Sequence, residues 1–159
     1  MQRTLKTTNA MRLAQAAGVS LETASYDVSD ENYDGNLVAE KIGMKPETVF
    51  KTLVLKGDKT GYLVCCLPVC EELDLKKVAR ASRNKSVEMI AVKELLPLTG
   101  YVRGGCSPIG MKKAFPTYID ETAQLFDRIA VSAGMRGEQM ILSPGDLLGL
   151  AGAEYADLI

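Results

Sequence analysis

Lys51 stands inside VFKTLVL, where strand alternation puts it on one face with Leu53 and Leu55 and leaves Phe50, Thr52 and Val54 on the other. An ammonium on an apolar face has two readings. Near a strand end it snorkels to water or guards an exposed edge. Aimed into a partly apolar pocket, it attracts a phosphate, a carboxylate or a developing oxyanion. A second stretch, GYVRGGCSPIGMKK over 100–113, packs four glycines, a proline, a cysteine and three cations into fourteen residues. Gly104 and Gly105 beside Ser107-Pro108 offer either a tight turn or a run of bare backbone N–H groups suited to a carbonyl oxygen, oxyanion or phosphate. It is no established phosphate loop, since GKS and GKT are absent and the glycine spacing fails GxGxxG. Cys106 has only Arg103, Lys112 and Lys113 as sequence-near cations and reads as packing more readily than as a nucleophile. In LKKVARASRNK, Lys76, Arg80 and Arg83 follow i, i+4, i+7 spacing and share a helix face, either solvated or laid against RNA phosphates. Tyr26 and Tyr33 flank a polar loop where a base could stack.

The 159 residues contain no histidine. That removes Ser-His-Asp and Cys-His catalysis, imidazole bases and the usual catalytic zinc sites. An enzyme of this composition works with lysine, carboxylate, tyrosine, thiol, backbone dipoles or its own substrate; neither metal nor cofactor is expected. The net charge of −1 argues against a broad nucleic-acid footprint and against DNA, leaving room for a local basic patch. No window approaches the roughly 18 apolar residues that span a bilayer, and the first residues lack a secretory h-region. The four cysteines include the adjacent pair Cys65 and Cys66, an awkward disulfide framework. Reduced thiols and a cytoplasmic location are expected.

The elements that must position these residues form a mixed set. The spacing predicts a helix from about Asn9 to Ala17 stopped by Gly18, a strand in LETASYDVS, and a helix in LVAEKIG closed by Gly43. Val49–Lys56 and Gly61–Val69 read as a strand pair around the KGDKTG turn. LDLKKVARAS follows as an amphipathic helix, SVEMI as a strand, and AVKELLPL as a helix broken near Pro97. TYIDET, LFDRIAVSAG and QMILSP read as strands, and SPGDLLGLAG as a closing helix with Ser143 as N-cap and Pro144 first in the helix. Residues 1–159 are expected to form one compact α+β domain, with six or seven strands in a mixed sheet.

VFKTLVL, GYVRGGCSPIGMKK and VSAGMRGEQMILSPGDL, in this order, closely resemble the YbaK/EbsC family of aminoacyl-tRNA deacylases, relatives of the editing domain of bacterial prolyl-tRNA synthetases. The resemblance covers nearly the whole chain and implies a partly barrel-like sheet. It implies hydrolysis of mischarged tRNA, characteristically Cys-tRNA(Pro), possible because pockets separate small apolar groups only roughly 10 to 200-fold. It makes Lys51 the key lysine that orients the ester, with Thr52 beside it. Gly104 and Gly105 become the backbone against the aminoacyl carbonyl, Ser132 and Gly134 the pocket lining, and Tyr26 a residue of the mouth. Gln139 occupies a position where some members carry an acidic residue. In cysteine-specific members the substrate thiol attacks its own ester, which accounts for the lack of a visible protein nucleophile. An alanyl-tRNA deacylase using water, and a non-catalytic module binding tRNA or a synthetase, are the rival readings. The expected partners are mischarged tRNA and prolyl-tRNA synthetase.

Overall fold

A computed structural model describes residues 7–159. The strand pair β2 (Phe50–Gly57) and β3 (Gly61–Pro68) is the centre of the fold, and its register runs unbroken from Phe50 opposite Pro68 to Gly57 opposite Gly61. β-branched and aromatic residues favour both strands. The Asn84 side chain braces the turn, its Oδ1 accepting from the N–H groups of Lys59 and Thr60. β4 (Val87–Met89), β5 (Thr117–Asp120) and β8 (Ala153–Ala156) complete a five-stranded sheet in the order β4-β2-β3-β5-β8. The contacts of β2 are antiparallel, whereas β5 is parallel to both β3 and β8.

A second, antiparallel sheet contains β1 (Glu22–Ser25), β6 (Ile129–Ser132) and β7 (Glu138–Leu142), in the order β1-β7-β6. An isolated parallel bridge between Val49 and Ala130 joins the sheets. Among the described residues the sheets meet at this one bridge and do not close into a full barrel. The described residues contain eight strands where six or seven are expected. The extra one, β8, follows Gly152 as AEYA, too short and too rich in alanine to stand out from the end of a helix.

In the described residues, five α-helices pack around the sheets. α1 (Asn9–Ala16) and α5 (Pro144–Ala151) cover a core of Phe50, Cys66, Ile109, Ile119, Val131, Met140 and Leu147. α3 (Leu75–Ser82) lays Val78 and Ala79 on Leu55, Leu63, Cys65 and Tyr118 across the other face of the large sheet. α2 (Gly35–Ile42) starts from the Asp34 cap and stops at Gly43 in the left-handed region. Ser143 caps α5 as expected, its Oγ accepting from Asp146 N–H. α4 (Val92–Thr99) runs through Pro97 to a left-handed Gly100, against the expected break. Pro97 removes one N–H from an exposed turn, where water can satisfy the carbonyl left free.

Candidate active site

β3 pairs β2 along its length, but β4 reaches only Leu55–Gly57. The stretch 50–54 therefore has an open edge, bounded by the Val49–Ala130 bridge at one end and β4 at the other. Val69 N–H donates to the Val49 carbonyl on the β3 side, and Ile90 N–H donates to the Val54 carbonyl on the opposite side. The alternation of an antiparallel ladder then turns the main chain of Thr52 away from β3, toward the open edge. A cavity of about 490 Å³ follows this edge. That size suits a small-molecule site. Its walls come from the start of α2, the end of β4, α4, the 103–106 loop and the tips of the smaller sheet.

Lys51 and Thr52 point to opposite faces of the sheet, yet both line the cavity because it follows the edge and not a face. Thr52 Oγ1 lies 3.8 Å from Cys66 Sγ. Leu53 and Leu55 pack under α3 as their shared face requires. Lys51 is half-buried and makes no ion pair among the described residues. Its charge is thus available to an incoming anion or carbonyl dipole.

Ser132 and Gln139 sit opposite each other in the β6–β7 ladder. The Ser132 hydroxyl oxygen accepts from Gly134 N–H at 3.2 Å, leaving its proton to donate. Gln139 is 5% exposed, and its Oε1 has no hydrogen-bond partner among the described residues. An unpaired buried acceptor costs about 1–3 kcal/mol, so a cavity-lining one marks a place where a ligand donor fits. Tyr26 closes the cavity beyond β1 and is anchored by its N–H donating to the Gly137 carbonyl.

The glycine-rich loop divides its tasks. Gly104 lines the cavity with φ of 85°, and a Cβ there would lie 2.7 Å from Tyr33 Cγ. Gly105 and Gly134 do not line it. A Cβ on Gly105 would meet the backbone of Met135 and Arg136, and one on Gly134 would meet the Tyr101 ring at 2.9 Å. Both glycines thus permit close packing of neighbouring loops at these points. Gly105 N–H is already donated to the Val102 carbonyl. Among the cavity-lining residues of the loop, the N–H groups of Arg103, Gly104 and Cys106 make no hydrogen bond to described residues, the type of donor that suits an oxyanion. The loop is tied down where Tyr101 OH donates to the Ile109 carbonyl at 2.6 Å.

Cys106 lines the cavity, but burial pushes its thiol up to about 12. Burial also pushes Cys66 up to about 12 and raises Cys65. These thiols are neutral near pH 7 and are not activated nucleophiles. All four cysteines are free, as expected.

Tyr26, Lys51, Thr52, Gly104, Ser132 and Gln139 thus converge on one cavity. Lys76, Arg80 and Arg83 do not line it. Lys76 and Arg80 are exposed on α3, whereas Arg83 is the left-handed residue after the helix, so the expected three-residue face ends at Arg80. Arg103 and Arg136 carry no sequence signal for this site, and Tyr33 is expected only as one of two aromatics flanking a polar loop where a base could stack. The Arg136 guanidinium lies 4.1 Å from the Tyr33 ring centroid, and its Nε donates to the Arg103 carbonyl at 2.8 Å. Three separate loops make that contact, and their spacing in the chain carries no signal for it.

The aminoacyl-tRNA editing domain family profile matches residues 33–150. A relative from Enterococcus faecalis, provisionally named Cys-tRNA(Pro)/Cys-tRNA(Cys) deacylase EbsC, is 46% identical over 99% of this chain and 96% of its own. A crystal structure described as a candidate trans-editing enzyme for prolyl-tRNA synthetase superposes with TM-score 0.80 at 25% identity, covering 95% of this chain and 97% of that one. A hypothetical protein, APE2540, shares the fold at TM-score 0.83 and 19% identity, over 92% of this chain and 96% of its own. The chain belongs to the aminoacyl-tRNA editing domain family.

Proposed function

We propose that this protein is an aminoacyl-tRNA deacylase that cleaves the ester of mischarged Cys-tRNA(Pro), with Cys-tRNA(Cys) as a second substrate. The name of the Enterococcus relative supports the substrate class over nearly the full chain. The observation that carries the reading is the gathering of Lys51, Ser132 and the unpartnered Gln139 Oε1 around a cavity without an activated nucleophile.

An aminoacyl ester is already activated, so the site has three tasks: to orient it, to stabilise the tetrahedral oxyanion and to admit a nucleophile. Lys51 holds the terminal adenosine side of the ester. The free N–H groups of Gly104 and Cys106 donate to the oxyanion. Gln139 Oε1 accepts from the α-ammonium group of the amino acid, and Ser132 and Thr52 bound the side-chain end of the cavity. The substrate thiol supplies the nucleophile: its sulfur bonds to the carbonyl carbon, the bond from that carbon to the ribose oxygen breaks, and the thiol proton ends on that oxygen. A cyclic thiolactone leaves and opens in water. The balance needs no cofactor. Prolyl-tRNA synthetase, in the cytoplasm, is the partner that would deliver the tRNA. The net charge of −1 gives the domain little long-range pull on tRNA, which favours delivery over capture.

Release of amino acid from Cys-tRNA(Pro), Ala-tRNA(Pro) and Pro-tRNA(Pro), with the first product identified by mass, tests this reading. Rapid loss of the cysteinyl ester through a thiolactone is expected, with the prolyl ester spared. Preferential loss of the alanyl ester would replace the substrate thiol with water as nucleophile.

A further inference from the structure

Arg136 is exposed, yet its guanidinium is held at two points, over the Tyr33 ring and by the Arg103 carbonyl on Nε. Neither contact uses its terminal N–H groups, which form no hydrogen bond or ion pair among the described residues. A planar fork held this way is prepared for a phosphate. Arg136 also stands between two cavities. Tyr33 and Gly104, beneath it, line the large one; Arg136 itself lines a smaller one of about 260 Å³, reached past Tyr26, which borders both. The smaller cavity carries two acids, Asp27 and Glu138. Glu138 is 5% exposed, and its carboxylate accepts only from Ser25 Oγ, at 2.7 and 2.9 Å, so acceptor capacity remains. Two carboxylates repel a phosphate and suit a ligand group rich in N–H donors, such as the exocyclic amine of cytosine.

We propose that Arg136 clamps the phosphate on the 5′ side of the tRNA's terminal adenosine, and that the smaller cavity receives the preceding cytidine. This rests on the reading of the large cavity as the site of the aminoacyl-adenosine end. The clamp adds a nucleic-acid contact beside the ester and sets the direction in which the strand enters. It also gives Tyr33 a role: the ring fixes the guanidinium plane, and Gly104 keeps the space that ring fills.

The test uses two amide-linked probes that cannot be hydrolysed, 3′-(cysteinylamino)-3′-deoxyadenosine and the dinucleotide made by joining cytidine through a phosphate to its 5′ side. Wild type should bind the dinucleotide roughly tenfold more tightly than the mononucleoside, the gain expected of a charge-assisted contact. Arg136→Ala should erase that gain while leaving mononucleoside affinity unchanged, which also reports an intact fold. Arg136→Lys should recover only part of it. Uridine in place of cytidine should weaken the dinucleotide in wild type, and Glu138→Gln should reduce that preference. Equal affinity of wild type for both probes, or a gain that survives Arg136→Ala, overturns the clamp. A loss of both affinities together in Arg136→Ala overturns it too, because Arg136 would then only hold the loop. Failure of the catalytic reading is seen separately, as absence of hydrolysis of Cys-tRNA(Pro) by a protein that still distinguishes the probes.

Discussion

Gln139 and the buried thiols are the residues whose chemistry departs most from their surroundings. Gln139 buries an acceptor that nothing in the described protein satisfies, so it is a cost in the free protein, and the proposed reading makes it a contact to the substrate. Gln139→Leu should therefore leave the urea midpoint unchanged or raise it, while KM for cysteinyl-tRNA increases several-fold; a marked loss of stability would show that Oε1 has a partner. Cys66 and Cys106 are raised from 9.0 to about 12 by burial, so the folded state holds protons that the unfolded chain releases above about pH 9. A group with a raised folded pKa contributes stability that is complete below its unfolded value and declines as pH rises toward the folded one. Stability should accordingly fall between pH 9 and pH 12, and a Cys106→Ala protein should lose less of its own stability over that interval, as followed by urea unfolding. Gly104→Ala tests a backbone requirement. It forces a left-handed φ of 85° on an L residue and drives a Cβ to 2.7 Å from Tyr33, so it should cost at least about 1–2 kcal/mol and slow deacylation. An unchanged melting temperature and rate would remove Gly104 from the site.

Among the elements, the open edge of β2 does most to make the site. It exists because β4 is three residues long and pairs only the far end of an eight-residue strand. The hairpin around it was legible in the sequence, since its strand-forming side chains and its turn composition agree. The edge was not legible, because the extent of pairing depends on where β4 and β6 dock, and neither strand encodes its register alone. Lys51 shows the same limit: alternation placed it correctly beside Leu53 and Leu55, but the cavity lies along the edge. The resemblance makes Gly105 and Gly134 site residues, and a glycine alone does not name what approaches it; the nearest neighbours here are the 135–136 backbone and Tyr101. The Tyr33–Arg136 stack and the bridge between the sheets are tertiary and left no local pattern. α3 belongs to this scale as well. Lys76 and Arg80 are exposed on the far side of the large sheet's second core, away from the cavity lining. Replacing both with alanine should leave the salt dependence of tRNA binding nearly unchanged, whereas Arg136→Ala should lower its slope by about one. A reduced slope in the α3 variant would return that helix to the tRNA interface.

As a whole molecule, the protein combines a cavity of about 490 Å³, whose charged lining is Lys51, Arg103 and Asp34, with almost no net charge. A body with so little net charge has weak long-range attraction for a polyanion, so the proposed selection rests on what fits the cavity. In the described residues no helix is long and apolar enough to cross a membrane, and no cluster of His, Cys, Asp and Glu is arranged to hold a metal. The proposed reaction assigns the nucleophile to the substrate's own thiol and the orienting charge to Lys51. The direct test is single-turnover deacylation of Cys-tRNA(Pro) by wild type, Lys51→Ala and Lys51→Arg. The account predicts a loss of roughly 30-fold or more in Lys51→Ala, equivalent to about 2 kcal/mol of transition-state stabilisation, with partial recovery in Lys51→Arg. A folded Lys51→Ala protein that retains deacylation within about threefold of wild type, against that expected loss of a charged contact, would contradict it.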